Sequence, residues 1–184
     1  MPADFISFWQ NAIGEARKTD LNPTKRLLPE RCTKDVNVYE VSFQNIQQNF
    51  RTYGILCVPV KPGKYPALLR VPGAGVRPYG GDIYTASQGV ITLEIGIHGI
   101  TVTMDQQIYD DIFNGALMGY WDTGMDDRDK SYYKRVVIGC IRAIDYIVMN
   151  HTEPDHAGTV EKVLELNPRA VVVGTSTAIS FLKE

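Results

Sequence analysis

Tyr65-Pro-Ala-Leu-Leu-Arg-Val71 is a short apolar run stopped by Pro72-Gly73, and it constrains the fold more than any other stretch. An alternating strand can leave one face in water, but a continuous apolar strand needs cover on both. A glycine-rich loop follows, Pro72-Gly-Ala-Gly-Val-Arg-Pro-Tyr-Gly-Gly81, and then Val90-Ile-Thr-Leu-Glu-Ile95 reads as a second strand. Upstream, Phe5, Phe8, Trp9, Ala12 and Ile13 fall on one face of a helix over 4–17. Residues 18–34, with Pro23 and Pro29, read as loop. Val36–Phe43 alternates apolar and polar like a half-buried strand, and Thr52–Pro59 reads as its hairpin partner. Residues 96–124 show little period. Asp126 and Asp127 suit the positive end of a helix running to Ile147, whose apolar face is Tyr133, Val136, Val137, Cys140, Ile141, Ile144 and Ile147. Strands alternating with helices predict an α/β fold.

Composition narrows the classes of partner. The 184 residues suffice for one domain with a core, and the net charge of -2 gives no reason to expect nucleic acid or a membrane surface. No signal peptide or bilayer-spanning run is visible, so the expectation is a cytoplasmic protein, with oligomeric state open. Cys32, Cys57 and Cys140 lie far apart without CxxC spacing, which predicts buried thiols in a reducing compartment.

The strand Ala67–Val71 running into Pro72-Gly73-Ala74-Gly75, with Tyr132-Tyr133-Lys134-Arg135 and Arg142-Ala143-Ile144-Asp145, carries a resemblance. Through residues 3–147 the chain resembles the acetyl xylan esterase and cephalosporin-C deacetylase family of α/β-hydrolases. The resemblance implies hydrolysis of acetyl esters on carbohydrate, with an oxyanion loop at Gly73, Ala74 and Gly75. The donor would be the Ala74 N–H, because glycines let backbone approach the tetrahedral oxyanion closely. Pro72 and Ala74 replace the histidine and aromatic of the commoner pattern, so the carry-over rests on backbone alone. The competing reading is a glycine-rich turn without chemistry. A dinucleotide loop is excluded, because Pro78 stands where the third glycine would be.

In that family the long helix leads to a Gly-Gly-Ser-Gln-Gly elbow, then to an aspartate and a histidine. No such sequence follows Ile147. Thr85-Ala-Ser-Gln-Gly89 precedes a strand and does not follow one. Gly174-Thr-Ser-Thr-Ala178 follows the strand Ala170–Val173 and opens a helix, which makes Ser176 the one weak candidate nucleophile. Thr175 or Ser176 equally suits an N-cap. No Asp or His follows Ser176, so a triad in the order Ser, Asp, His is not completed.

Beyond Ile147 the texture changes. Asp145-Tyr-Ile-Val-Met-Asn-His-Thr-Glu-Pro-Asp-His-Ala-Gly158, Leu166-Asn-Pro-Arg-Ala170 and Val173-Gly-Thr175 resemble the metallo-β-lactamase-type domain of flavodiiron proteins, FMN-dependent reductases of dioxygen or nitric oxide. The resemblance implies that His151 and Glu153 bind one iron and Asp155 and His156 the other. Imidazole and carboxylate suit iron. That family's further ligands and its FMN domain have no counterpart in the sequence, so no cofactor is expected unless this partial motif holds iron.

The two resemblances share Ile144-Asp-Tyr-Ile147, which ends a helix in one family and begins a strand in the other. A chimeric gene, or two merged sequencing reads, would join there. The expectation is an α/β-hydrolase fragment over 1–147, its sheet cut before the nucleophile strand, and a foreign loop-helix-strand-helix tail over 148–184. The function expected is carbohydrate acetyl esterase by ancestry, inactive as this chain. The alternative is an incomplete piece of an FMN and di-iron oxidoreductase. A cut sheet would expose an open edge, with aggregation or a molten state to follow, unless Ala170–Val173 docks there.

Overall fold

A computed structural model describes residues 2–46, 50–149 and 171–173, with 148–149 and 171–173 as backbone alone. The helix α1 (Phe5–Arg17) is followed by β1 (Thr24–Leu27), β2 (Val36–Gln44), β3 (Arg51–Pro59) and β4 (Ala67–Arg70). Then come α2 (Ile83–Ser87), β5 (Ile91–Ile95), α3 (Gln106–Asn114), α4 (Tyr132–Met149) and β6 (Val171–Val173). Among the described residues they form one sheet in the order β1-β2-β3-β5-β4-β6. The first pairs, through β3 with β5, are antiparallel, while β4 runs parallel to both β5 and β6.

Register explains why both faces are covered. Tyr39 lies opposite Leu56 and Val41 opposite Gly54, and this face carries Phe43, Leu69, Leu93 and the buried α4 residues Ala143, Ile144, Tyr146 and Ile147. Val38 lies opposite Cys57, and that face holds Val36, Ile55, Ala86 of α2, Tyr79 and Val102. Gly54 is required where β3 meets β5, since a Cβ there would sit 2.6 Å from the Glu94 carbonyl oxygen. The alternation in β2 therefore does not mark a solvated face: Tyr39, the outlier in the pattern, packs against the first cluster.

Three sequence expectations need correction. Thr24–Leu27 lies inside the stretch read as loop; it forms edge strand β1, fully exposed, so no buried face announced it. The helix expected from Asp126 begins at Tyr132. Asp127 instead closes a turn, accepting the Asp129 N–H at 2.9 Å and pairing with Lys130 at 3.1 Å. The shared string 144–147 is helix throughout, so the strand implied by the flavodiiron resemblance does not form there. The open edge of β4 is closed in the way the sequence allowed, by docking of the tail strand: Leu68–Arg70 pairs with Val171–Val173.

Candidate functional site

The parallel strands β4 and β5 end side by side, and the loop 71–82 arches over those ends. Beside it a cleft of about 440 Å³ is lined by Arg70, Gly73, Arg77, Tyr79 and Glu94. Local hydrogen bonds explain the loop's shape. Asp82 caps α2, taking the Thr85 N–H at 3.0 Å and the Thr85 hydroxyl at 2.8 Å, and pairs with Arg70 at 3.1 Å. Burial opposes ionisation of Asp82, but these hydrogen bonds and Arg70 outweigh it and hold its carboxyl below the usual range. Gly81 donates to the Glu94 carboxylate at 2.9 Å. It adopts φ +82°, and a Cβ there would lie 2.5 Å from Ile55 Cγ2. Only glycine lets the loop lie this close on β3.

Upstream in the loop, Arg77 donates to the carbonyls of Gly73 at 3.1 Å and Ala74 at 2.6 Å. Gly75, at φ +121°, is held from both sides. Its N–H donates to the Tyr120 hydroxyl at 3.0 Å, and its carbonyl lies 2.9 Å from Nε2 of His98. Nδ1 of His98 lies 2.5 Å from the Tyr132 hydroxyl. A carbonyl accepts and never donates, so Nε2 carries the proton and Nδ1 accepts from Tyr132. His98 is buried, and that burial lowers its pKa from 6.5, outweighing the Gly75 hydrogen bond. Tyr132 has its pKa raised by burial, with Arg135 stacked 3.7 Å over its ring.

Ala74, between Gly73 and Gly75, is exposed, and its N–H meets no acceptor among the described residues. Gly73, Ala74 and Gly75 are thus the sequence-expected site residues that the structure brings together. Ser176, His151, Glu153, Asp155 and His156 lie outside the described residues. Ser87, in the other serine string, sits in α2 and donates to the Tyr84 carbonyl at 2.7 Å. No group of three metal-ligating side chains occurs among the described residues, and no helix of theirs is long and apolar enough to cross a membrane. Sequence reading passed over Tyr120 and His98 as parts of the loop's support. His98 was conspicuous as the one histidine outside the tail, but nothing local ties it to a loop more than twenty residues away.

The matching family model is that of acetyl xylan esterase (AXE1), over residues 1–162. The acetyl esterase Axe7A of Xylanibacter ruminicola is 36% identical over 152 residues, 79% of this chain and 34% of that protein. The chain thus spans about a third of that relative's length. The acetyl xylan esterase of Paenibacillus sp. R4 superposes with a TM-score of 0.67 at 22% identity, over 97% of this chain and 54% of that one, which establishes the shared fold. A putative diflavin flavoprotein A 2 of Nostoc sp. is 57% identical over 42 residues, 23% of this chain and 7% of that protein. With the family model covering most of its length, this chain belongs to the acetyl xylan esterase family.

Proposed function

We propose that the loop 72–75 is the oxyanion-binding half of a site for acetyl esters of carbohydrate, and that these 184 residues do not carry the nucleophilic half. The observation that carries this is Ala74: an exposed, uncommitted N–H in the loop that leaves the C-terminal end of the parallel strand β4, beside a glycine anchored at both its N–H and its carbonyl. A fixed donor in that position is what a developing oxyanion needs. Family membership supports acetylated carbohydrate as substrate. The base is the weak point. Of the three histidines, His98 has both ring nitrogens engaged, and His151 and His156 precede Ser176 within the H-x-E-x-D-H string. Without an activated nucleophile, acyl transfer loses its covalent step. Hydrolysis of p-nitrophenyl acetate by the chain is therefore expected to match the buffer rate and to be unchanged in Ser176→Ala. Saturable turnover abolished by that substitution would overturn the reading.

A chimeric origin with its junction at 144–147 is part of the same proposal. The diflavin-type matches run from 39 to 74 residues, most of them near the length of the segment 144–184. Amplification across the junction from source DNA should give one product of the expected length; failure to amplify it would point to merged reads. For the tail we propose no iron binding. The four donors His151, Glu153, Asp155 and His156 are only part of a di-iron set, and His98 is unavailable to extend it. After anaerobic exposure to ferrous iron and desalting, metal analysis should find well under one iron per chain, and a stoichiometric content would contradict this.

A further inference from the structure

The network under the loop is more elaborate than a turn requires. A buried imidazole and two buried tyrosines, from three separate segments, converge on one glycine. His98 follows β5, Tyr120 lies in a 3-10 turn (Tyr120–Asp122), and Tyr132 opens α4. Their rings pack together: His98 meets Tyr120 edge-on at 4.7 Å, and Tyr120 lies 4.9 Å from Tyr132. We propose that His98 is a positioning residue for the loop 72–75, gripping the Gly75 carbonyl through Nε2–H while Tyr120 takes the Gly75 N–H and Tyr132 fixes the imidazole tautomer. The proposal rests on the oxyanion reading of Ala74 for its purpose, but not for its geometry.

The clamp acts because Gly75 is the residue next to Ala74. A glycine at φ +121° has no side chain to restrict it, so its conformation must be held by what its peptide groups bond to. Holding both the N–H and the carbonyl leaves little freedom for rotation at the preceding peptide. The arrangement also requires a neutral imidazole. Protonation at Nδ1 would turn an acceptor into a donor and force the Tyr132 hydroxyl to reverse its role. The charged groups that act on His98 are Arg135, from α4, and Arg77, from the loop itself; both are cationic and oppose the imidazolium. The remaining facing groups, Tyr120 and Tyr132, are neutral phenols. In acid Nε2–H still donates to Gly75, so the rearrangement falls on the Tyr132 side, and it reaches Gly75 and Ala74 through the packed rings of His98, Tyr120 and Tyr132.

The test is a ¹⁵N NMR titration of the 184-residue chain, which needs no turnover. At neutral pH, His98 is expected as the Nε2–H tautomer, and it should titrate below 6.5. The amides of Ala74 and Gly75 should shift with the same midpoint, while those of the β2–β3 hairpin stay fixed. Tyr120→Phe removes the acceptor for Gly75 without touching His98. It should speed Gly75 amide exchange roughly tenfold while leaving the His98 tautomer unchanged. Tyr132→Phe should mix the tautomers. An Nδ1–H tautomer, or Ala74 and Gly75 amides indifferent to His98 titration, would overturn the proposal, and the unmutated chain alone decides this if either variant fails to fold. A positive titration in a chain shown to have a different active site would leave the clamp standing and remove the esterase reading.

Discussion

Asp145 sits between two guanidinium groups and ties α1 to α4. It accepts from Arg17 at 2.8 Å and from buried Arg142 at 3.3 Å, and Arg142 also reaches the carbonyls of Thr19 at 2.5 Å and Gln44 at 3.3 Å. Removing the carboxylate charge leaves a buried cation without its counter-ion, so Asp145→Asn should cost about 2 kcal/mol in urea unfolding. Arg17→Ala, which breaks a part-exposed pair, should cost roughly 0.5–1 kcal/mol. Equal effects would contradict this assignment. Sequence reading singled out Arg142 and Asp145 for family resemblance alone; their work is structural, and no local pattern shows a contact between residues 17 and 145. Of the three thiols expected to be buried, Cys57 is, while Cys32 and Cys140 are half-buried. Burial pushes Cys57 and Cys140 up to about 11. Both should react with Ellman's reagent at pH 8 far more slowly than in urea, and rapid labelling of Cys57 in the folded chain would contradict the buried position. For His98, a lowered folded pKa means the unfolded state takes up the proton first. The stability it contributes is full above about 6.5 and is lost as pH falls below that value. His98→Gln should flatten the pH dependence of the melting temperature in that window, and an unchanged slope would show that the imidazole is not held neutral.

At the scale of elements, strong apolar periods were legible and weak or polar ones were not. The strands β2, β3, β4 and β5 and the helix α1 were read within two residues, and α4 was read with its start six residues early. The strand β1 has no buried face, and it exists because Thr24–Leu27 pairs with Tyr39–Ser42. The acidic pair at 126–127 resembled a helix start, but Asp127 finds its N–H in a turn. The helix α4 runs unbroken through Ile144–Ile147. Packing decides the outcome there: Tyr146 stacks on Phe43 at 5.1 Å, and Ile144 and Ile147 are buried on the sheet. The strand β6 is the element with most to test. Successive residues of an edge strand present their amides alternately toward and away from the neighbour. Val171→Pro and Val172→Pro should therefore differ, with one lowering the melting temperature by several degrees and the other much less. Two prolines without effect would mean that β6 does not pair with β4.

At the scale of the molecule, one sheet takes in strands from Thr24 to Val173. The strand β6 lies parallel to β4 on the side away from β5 and covers what would otherwise be an open edge. This argues for a cooperative fold and against the molten state that a cut sheet would suggest. The loop 72–75, its anchor at Gly75 and the cleft beside it are intact in that fold. That a glycine-rich loop follows β4 was legible, although of β4 itself only Leu69 is buried, not the whole apolar run. The loop's support was not legible, because His98, Tyr120 and Tyr132 come from segments that share no motif. The central claim is that the chain presents an oxyanion donor without an activated nucleophile. Incubation with a serine-reactive fluorophosphonate, followed by intact-mass and peptide analysis, tests it directly. The chain should remain unmodified; a stoichiometric adduct on Ser176 would show that the sequence after β6 carries a working nucleophile and would contradict the account.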